Sequence, residues 1–306
     1  MLGVAVSGGA VYVAGGSQND NADADGSSNV RFGSVLLPGA SATRDWDAVV
    51  ARVTEPSGGG TPTWAWALNG GGTSADQAYG VAVQGGAVYV AAYVSGTADQ
   101  ARFGTAAGSP LAGSSGRFPL LGAVADGGAS AGWQRVSAAR VQVGTALAMG
   151  SAVEAGTGAV YVAGYFSGEV HFGPTVLNSR AGTDDAFVAR WLPATGTWAW
   201  ALAGGGTAED QALGVAATGG AVYVAGYITN DQADADGTSN VQFGSRPLPG
   251  ASATSSRDAF VARLTDPGNA APTDWAWALA AGGTGTDQGY AVAAEGGAVY
   301  VAGYFA

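Results

Sequence analysis

An all-β architecture, a β-propeller of four-stranded antiparallel blades, follows from a returning segment, an alternation of period two and an unusual glycine content. The segment is "MLGVAVSGGAVYVAGG" at residues 1–16. It comes back as "GVAVQGGAVYVAAY" at 80–93, "GSAVEAGTGAVYVAGY" at 150–165, "GVAATGGAVYVAGY" at 214–227 and "AVAAEGGAVYVAGY" at 291–304. At the chain start it has the small, apolar look of a secretory leader. A leader is not copied four more times, so the segment is a structural unit. Gly makes up 53 of 306 residues while aliphatic and aromatic residues stay plentiful, which suits short strands and tight turns and argues against disorder.

Four elements recur in fixed order. A short apolar strand such as GVAV (80–83) precedes AVYVAGY (221–227); DAFVAR (185–190 and 258–263, DAVVAR at 47–52) and WAWAL (64–68, 198–202, 275–279) follow. A linker with an Asp-Gln pair leads into the next copy: "NGGGTSADQ" (69–77), "AGGGTAEDQ" (203–211), "AAGGTGTDQ" (280–288). The alternation puts Trp64, Trp66 and Leu68 on one face of a strand and Ala65 and Ala67 on the other. Neither face is polar, so each sheet needs cover on both sides. A radial stack of sheets supplies it, whereas a sandwich would leave a polar outer face.

The copies give a single propeller domain over 1–306, with blades at about 1–72, 73–143, 144–206 and 207–283 and a half blade at 284–306. Four full blades plus a C-terminal two-strand half blade imply either a five-bladed ring or part of a larger array. Copies one and four share an offset of 211: Tyr12 with Tyr223, Phe32 with Phe243, Trp64 with Trp275. Copy two departs from the pattern. "GRFPLLGAVADGGASAGWQRV" (116–136) stands where DAFVAR and WAWAL belong, and "SAARVQVGTALAMG" (137–150) is the one segment with room for a short helix.

The order of AVYVAGYFSG, FG, DAFVAR, paired Trp and Asp-Gln is clearest in "AVYVAGYFSGEVHFGPTVLNSRAGTDDAFVARWLPATGTWAWALAGGGTAEDQ" (159–211). It resembles the bacterial SBBP-type β-propeller repeat of large secreted surface proteins, over nearly the whole chain. The resemblance implies an extracellular or cell-surface location.

Composition excludes several classes. All twelve basic residues are Arg, against 23 acidic residues, for a net charge of −11. Nucleic acid is therefore repelled, and a cation is the more natural partner. The absence of Cys rules out disulfides, thiol catalysis and Cys-ligated zinc. No run of eighteen apolar residues is present, so no membrane insertion by a helix is expected.

Copies one and four alone carry the insertions "NDNADADGSSNVRFG" (19–33) and "NDQADADGTSNVQFG" (230–244). Carboxylates at alternate positions before a turning Gly converge on a hard cation. The expected ligands of Ca2+ are Asp20, Asn21, Asp23 and Asp25 in one loop and Asp231, Gln232, Asp234 and Asp236 in the other. Phe32 and Phe243 stand where an EF-hand needs Glu, so these are not EF-hands; the competing reading is a solvated acidic turn. Asp76, Asp210 and Asp287 of the Asp-Gln pairs recur at fixed spacing in three linkers, though 137–150 lacks the pair, as turn-capping groups do and a catalytic group need not. Asp47, Asp185 and Asp258 are read as turn terminators, His171 as a surface strand residue and the Trp pairs as packing between blades.

The sequence thus predicts a secreted or cell-surface module, a non-catalytic scaffold or adhesion-type binding domain stabilised by calcium. Its partners would be a protein or glycan, with self-association through the open edge of the half blade. The alternative is a carbohydrate-active lyase or hydrolase with its site in the central channel. That reading needs an Arg, a Tyr and an acid brought from different blades to one mouth.

Overall fold

A computed structural model describes residues 2–18, 30–37, 45–56, 58–97, 101–104, 115–153, 159–229, 240–250, 256–268, 270–272 and 274–306, and every helix or strand element there is a β-strand. No helix among them is long and apolar enough to cross a membrane. The chain divides into two compact units, Met1–Ala139 and Arg140–Ala306.

The first unit opens with β1 (Gly3–Ser7) and β2 (Ala10–Gln18), a small hairpin of β3 (Arg31–Phe32) and β4 (Val35–Leu36), then β5 (Trp46–Thr54) and β6 (Thr63–Gly70). Its first sheet has the order β1-β2-β5-β6. The second sheet holds β7 (Gln77–Gln84), β8 (Ala87–Thr97), β9 (Ser115–Asp126) and β10 (Ala131–Ala138), in the order β10-β9-β8-β7. Every pairing in both sheets is antiparallel. The divergent stretch 116–136 still supplies the third and fourth strands, because Leu120, Leu121 and Val124 keep apolar residues on the sheet.

The second unit begins with β11 (Arg140–Val153), β12 (Val160–Phe172), β13 (Thr175–Asn178), β14 (Asp185–Leu192) and β15 (Thr197–Gly205), which with a hairpin from later in the chain form the third sheet. The fourth sheet contains β16 (Gln211–Thr218), β17 (Ala221–Thr229), β20 (Arg257–Thr265) and β21 (Trp277–Ala281). Between its second and third strands lies a small hairpin of β18 (Gln242–Phe243) and β19 (Arg246–Pro247). A terminal pair, β22 (Gln288–Glu295) and β23 (Ala298–Tyr304), follows. The short helix for which 137–150 had room does not form. Val141 and Val143 are β-branched, and the segment pairs with β12 from Arg140↔His171 to Val153↔Val160.

Two-residue turns join β1 to β2 and β16 to β17. Gly8 and Gly9 adopt φ of 57° and 74°, as a type I′ hairpin requires, and Gly219 and Gly220 repeat the pair at 57° and 75°. The third and fourth sheets share one core, with Tyr161, Val188 and Trp200 packed in the same cluster as Val222, Val224, Phe260 and Leu264.

The two Trp residues of WAWAL do not share a face. Arg52 pairs with Trp66 and the next residue, Val53, pairs with Trp64, leaving Ala65 as a bulge residue. Neighbouring residues of a strand point to opposite faces, so the bulge sends Trp64 and Trp66 to opposite sides. The same shift sets Arg190 against Trp200 and Trp191 against Trp198. In the fourth sheet Arg263 pairs with Trp277, and the Ala276 N–H bonds to the Arg263 carbonyl at 2.7 Å.

Candidate functional site

Polar and aromatic side chains gather at the seams between successive sheets of each unit, in three arrangements that repeat. The first uses the linker acids. The Asp76 carboxylate accepts from the Gly72 N–H at 2.6 Å and from the Ser95 N–H at 2.7 Å. Asp210 accepts from Gly206 at 2.6 Å and Thr229 at 3.0 Å, and Asp287 from Gly283 at 2.7 Å and Ala306 at 2.9 Å. Each acid therefore caps its own turn, as its recurrence suggested, and also clamps the end of the following second strand. All three are buried, and so are Asp47, Asp185 and Asp258 at the starts of the third strands. A Cβ on Gly71 would strike carboxylate oxygens of Asp76 and Asp47, and one on Gly282 those of Asp258 and Asp287. Burial raises Asp76 to about 7, against the hydrogen bonds from Gly72 and Ser95 and with the help of the Asp47 charge. Burial raises Asp185 to about 7 as well, although the Arg180 N–H at 2.9 Å opposes the shift.

The second arrangement seats a Phe-Gly hairpin on the preceding sheet. Arg102 and Gly71 exchange backbone hydrogen bonds at 3.0 and 2.7 Å, and β18 pairs with β15 through Gly204↔Phe243. Phe103 lies over Gly70 and Phe243 over Gly204, where any Cβ would collide with the ring. Each Phe then meets the first Trp of its own sheet edge-on, Phe103 with Trp133 at 5.1 Å and 85°, Phe243 with Trp275 at 5.1 Å and 82°. The indole N–H groups reach back to the earlier sheet, Trp133 to the Asn69 carbonyl at 2.9 Å and Trp275 to the Ala203 carbonyl at 3.1 Å. Packing between sheets, not sugar stacking, occupies these rings. Gly204→Ala should accordingly lower the stability of the second unit by about 3 kcal/mol through overpacking. Denaturant unfolding would check this, with Gly283→Ala, where a Cβ meets nothing within 4 Å, as a mild control.

In the third arrangement an acid enters a row of three side chains. Tyr12, Arg52 and Trp66 lie opposite one another on β2, β5 and β6. Asp126, at the end of β9 in the second sheet, accepts from the Tyr12 hydroxyl at 2.5 Å and the Trp66 indole at 3.0 Å. It also pairs with the Arg52 Nε at 3.3 Å, while Arg52 Nη1 donates to the Gly128 carbonyl. Burial works to raise the Asp126 carboxyl, but the hydrogen bonds from Tyr12, the Gly128 N–H and Trp66, with the Arg52 charge, hold it below the usual range. The second unit repeats the row as Tyr161, Arg190 and Trp200. Asp266 follows β20 in the fourth sheet; it accepts from Tyr161 at 2.6 Å and pairs with Arg190 Nε at 3.0 Å, and Trp200 bonds to the Gly268 carbonyl at 3.2 Å. Sequence reasoning passed over these acids. The available signal was their place, at the last residue of the third strand or the one after it, with a Gly two residues on.

Outside the seams, a shallow cavity of about 420 Å³ is lined by Glu209, Thr229, Ser256, Arg257 and Thr286, among others. Arg257 pairs with Glu209 at 2.8 Å and lies over the Tyr227 ring at 4.3 Å. The Arg and Tyr belong to one sheet, and Arg117 over Tyr93 at 5.5 Å repeats them in the first unit. The arrangement is thus a property of the repeat. His171 is half-buried and pairs with Glu169 at 2.8 Å. Asp20, Asn21, Asp23, Asp25, Asp231, Gln232, Asp234 and Asp236 lie outside the described residues. Among the described residues no group of three or more His, Asp or Glu could hold a metal. No protein-family model matches the chain, and no curated protein matches it.

Proposed function

We propose that the chain is a β-propeller module of SBBP-type repeats, displayed outside the cell, which serves as a non-catalytic scaffold and binding domain for a protein or glycan. One observation carries the reading: the buried acids and the aromatic pairs act in repeated roles at the seams between sheets. A catalytic centre needs a group held once and left open to substrate, and the Arg257, Glu209 and Tyr227 group is engaged internally. Incubation with a panel of acidic and neutral polysaccharides should yield neither new reducing ends nor unsaturated products. Turnover that Arg257→Ala abolishes would establish the lyase or hydrolase instead.

Assembly belongs to the same reading. Among the described residues β23 pairs only with β22, and Tyr300 and Tyr304 are 62% and 52% exposed. Its outer edge offers unpaired backbone groups to another strand. Sedimentation should show mass rising with concentration, and a chain lacking 290–306 should stay monomeric. A parent that is monomeric throughout ends this part of the proposal.

Calcium completes it. Asp20, Asp23 and Asp25 fall within six residues, as do Asp231, Asp234 and Asp236, and they repel one another until a cation enters. A site of carboxylates and carbonyls without strict octahedral geometry prefers Ca2+ to the smaller Mg2+. At a hundredfold excess over Kd the ion should add about 2.7 kcal/mol of stability. Melting with calcium should exceed melting with magnesium or chelator, and Asp23→Asn with Asp234→Asn should erase the gain. Equal Tm in all three conditions would mark the loops as ordinary turns.

A further inference from the structure

The cavity over the fourth sheet is built to accept hydrogen bonds. Its walls include Thr183 ahead of β14, Glu209 in the linker before β16, Thr229 at the end of β17, Ser256 and Arg257 where β20 begins, and Thr286 in the linker before β22. β16 packs on β11, β12 and β14, and β22 packs on β16, β17 and β20, so the sheet beneath the cavity has its neighbours in place. The volume of about 420 Å³ falls in the range of small-ligand sites.

Three of the lining hydroxyls have their hydrogens committed to backbone carbonyls. Thr183 donates to Arg180 at 3.0 Å, Thr229 to Glu209 at 2.5 Å and Ser256 to Gly283 at 3.4 Å. A hydroxyl so engaged meets a ligand through its lone pairs, as an acceptor. Glu209 adds a carboxylate that is 55% exposed; its pair with Arg257 uses Oε2 and leaves Oε1 to accept from a ligand. An ion pair this exposed holds weakly, so a ligand charge competes with it. Asp184, beside Thr183, brings a second acid. Burial raises its carboxyl against the hydrogen bond from Gln211 at 2.9 Å, and the Glu209 charge adds to the rise. Arg257 answers one of these two acids. The cavity therefore presents acceptors and a negative charge, in a chain whose own net charge is −11. That combination suits a cation that is also a hydrogen-bond donor.

We propose that this cavity binds an amino sugar with a free ammonium group, as in a deacetylated glycan. The ammonium carries three donors and meets Glu209 and the Thr and Ser oxygens, and the ring hydroxyls donate to the acceptors that remain. A lysine side chain offers the same ammonium on an apolar stem. The Tyr227 ring beneath the site is 3% exposed and covered by Arg257, so such a stem has no aromatic surface to lie on there. The proposal rests on the binding-domain reading above and names its ligand.

Calorimetric titration of the whole chain tests it with four probes: a chitosan tetramer, the same tetramer fully N-acetylated, glucose and an acetyl-lysine amide. The chitosan tetramer should bind saturably, and the other three on the order of tenfold more weakly. Glu209→Gln should weaken the tetramer by about tenfold, the loss of one charge-assisted hydrogen bond. Arg257→Met frees the Glu209 carboxylate and removes a positive charge, so binding should tighten. Glu55→Gln removes an exposed acid in the first unit and changes the net charge equally, yet affinity should stay as in the parent. Glu209 is exposed and Arg257 partly so, and unchanged far-UV spectra confirm that each variant folds. Equal binding of the acetylated tetramer overturns the proposal, and so does a Glu209→Gln chain that binds like the parent. A loss in Glu55→Gln as large as that in Glu209→Gln also overturns it, since general attraction to an acidic chain then accounts for the binding. Preference for the lysine amide overturns it in favour of a protein partner. A parent that binds no tetramer ends the proposal, while polysaccharides left uncleaved would still support the non-catalytic reading.

Discussion

Asp266→Ala is expected to destabilise the second unit by about 3–5 kcal/mol, because it strands a buried guanidinium. The Arg190 side chain is 8% exposed and that of Asp266 is 5% exposed, so water cannot replace the lost carboxylate. The Tyr161 hydroxyl loses its acceptor in the same step. The cost of a broken buried pair lies mainly in the partner left behind, so removing both charges should be far milder. Arg190→Met with Asp266→Ala should recover most of the loss. Arg263→Met provides a comparison within the same unit, since that Arg pairs with no acid among the described residues, and it should cost under about 1 kcal/mol. Urea unfolding followed by Trp fluorescence measures all three. An Asp266→Ala chain as stable as the parent would mean that the carboxylate contributes shape and not charge.

Stability is expected to fall as pH rises from about 4 to about 7, the reverse of the usual trend for carboxylates. Asp76 in the first unit and Asp185 in the second sit at about 7 in the folded chain, against an ordinary 3.8. Between those values the folded chain keeps a proton that the unfolded chain has released, so each group favours folding at low pH. That contribution is full below the unfolded value and disappears as pH passes the folded one. The slope is at most about 1.4 kcal/mol per pH unit for each group. Asp126 works in the opposite sense, since its lowered value adds stability that is full above the ordinary 3.8 and is lost as pH falls through its own lower value. The optimum therefore moves to mildly acidic conditions. Melting from pH 4.5 to 7.5 should show a steady decline, with a shallower slope in Asp76→Asn. A Tm that climbs over this interval would show that the pairs are fully ionised in the folded chain.

The strands were legible because their signal is local. AVYVAGY, DAFVAR and WAWAL alternate within themselves, and even 116–136 kept enough of the pattern to form β9 and β10. The linker Asp residues were legible for the same reason, since each caps a turn four residues away. The register of the two Trp residues was not legible. A bulge at Ala65 depends on how β5 and β6 twist together, and no residue type marks it. Asp126 and Asp266 were hidden by distance in sequence, since Asp126 meets Tyr12 114 positions away. Gly70 and Gly204 read as ordinary linker glycines until Phe103 and Phe243 are seen above them. The 137–150 segment misled because its Ala and Met residues tolerate a helix, while pairing with β12 decides the outcome.

The linker clamp has a consequence for how such a chain changes length. Each clamping Asp reaches a backbone N–H four residues before it and another nineteen residues after it, the same intervals in all three cases. From the first Trp to that Asp is a further twelve residues in each. The stretch from Trp64 to Ser95, with its two counterparts, thus behaves as a ruler that permits no insertion or deletion without breaking a buried hydrogen bond. Variation in length must fall elsewhere, and successive Tyr residues, Tyr12, Tyr89, Tyr161, Tyr223 and Tyr300, are indeed unequally spaced. The slack lies between the second and third strands, where 19–45 and 230–256 separate Gln18 from Trp46 and Thr229 from Arg257. Foreign peptide sequence grafted into that connection, and not into the ruler, is what this architecture is built to carry.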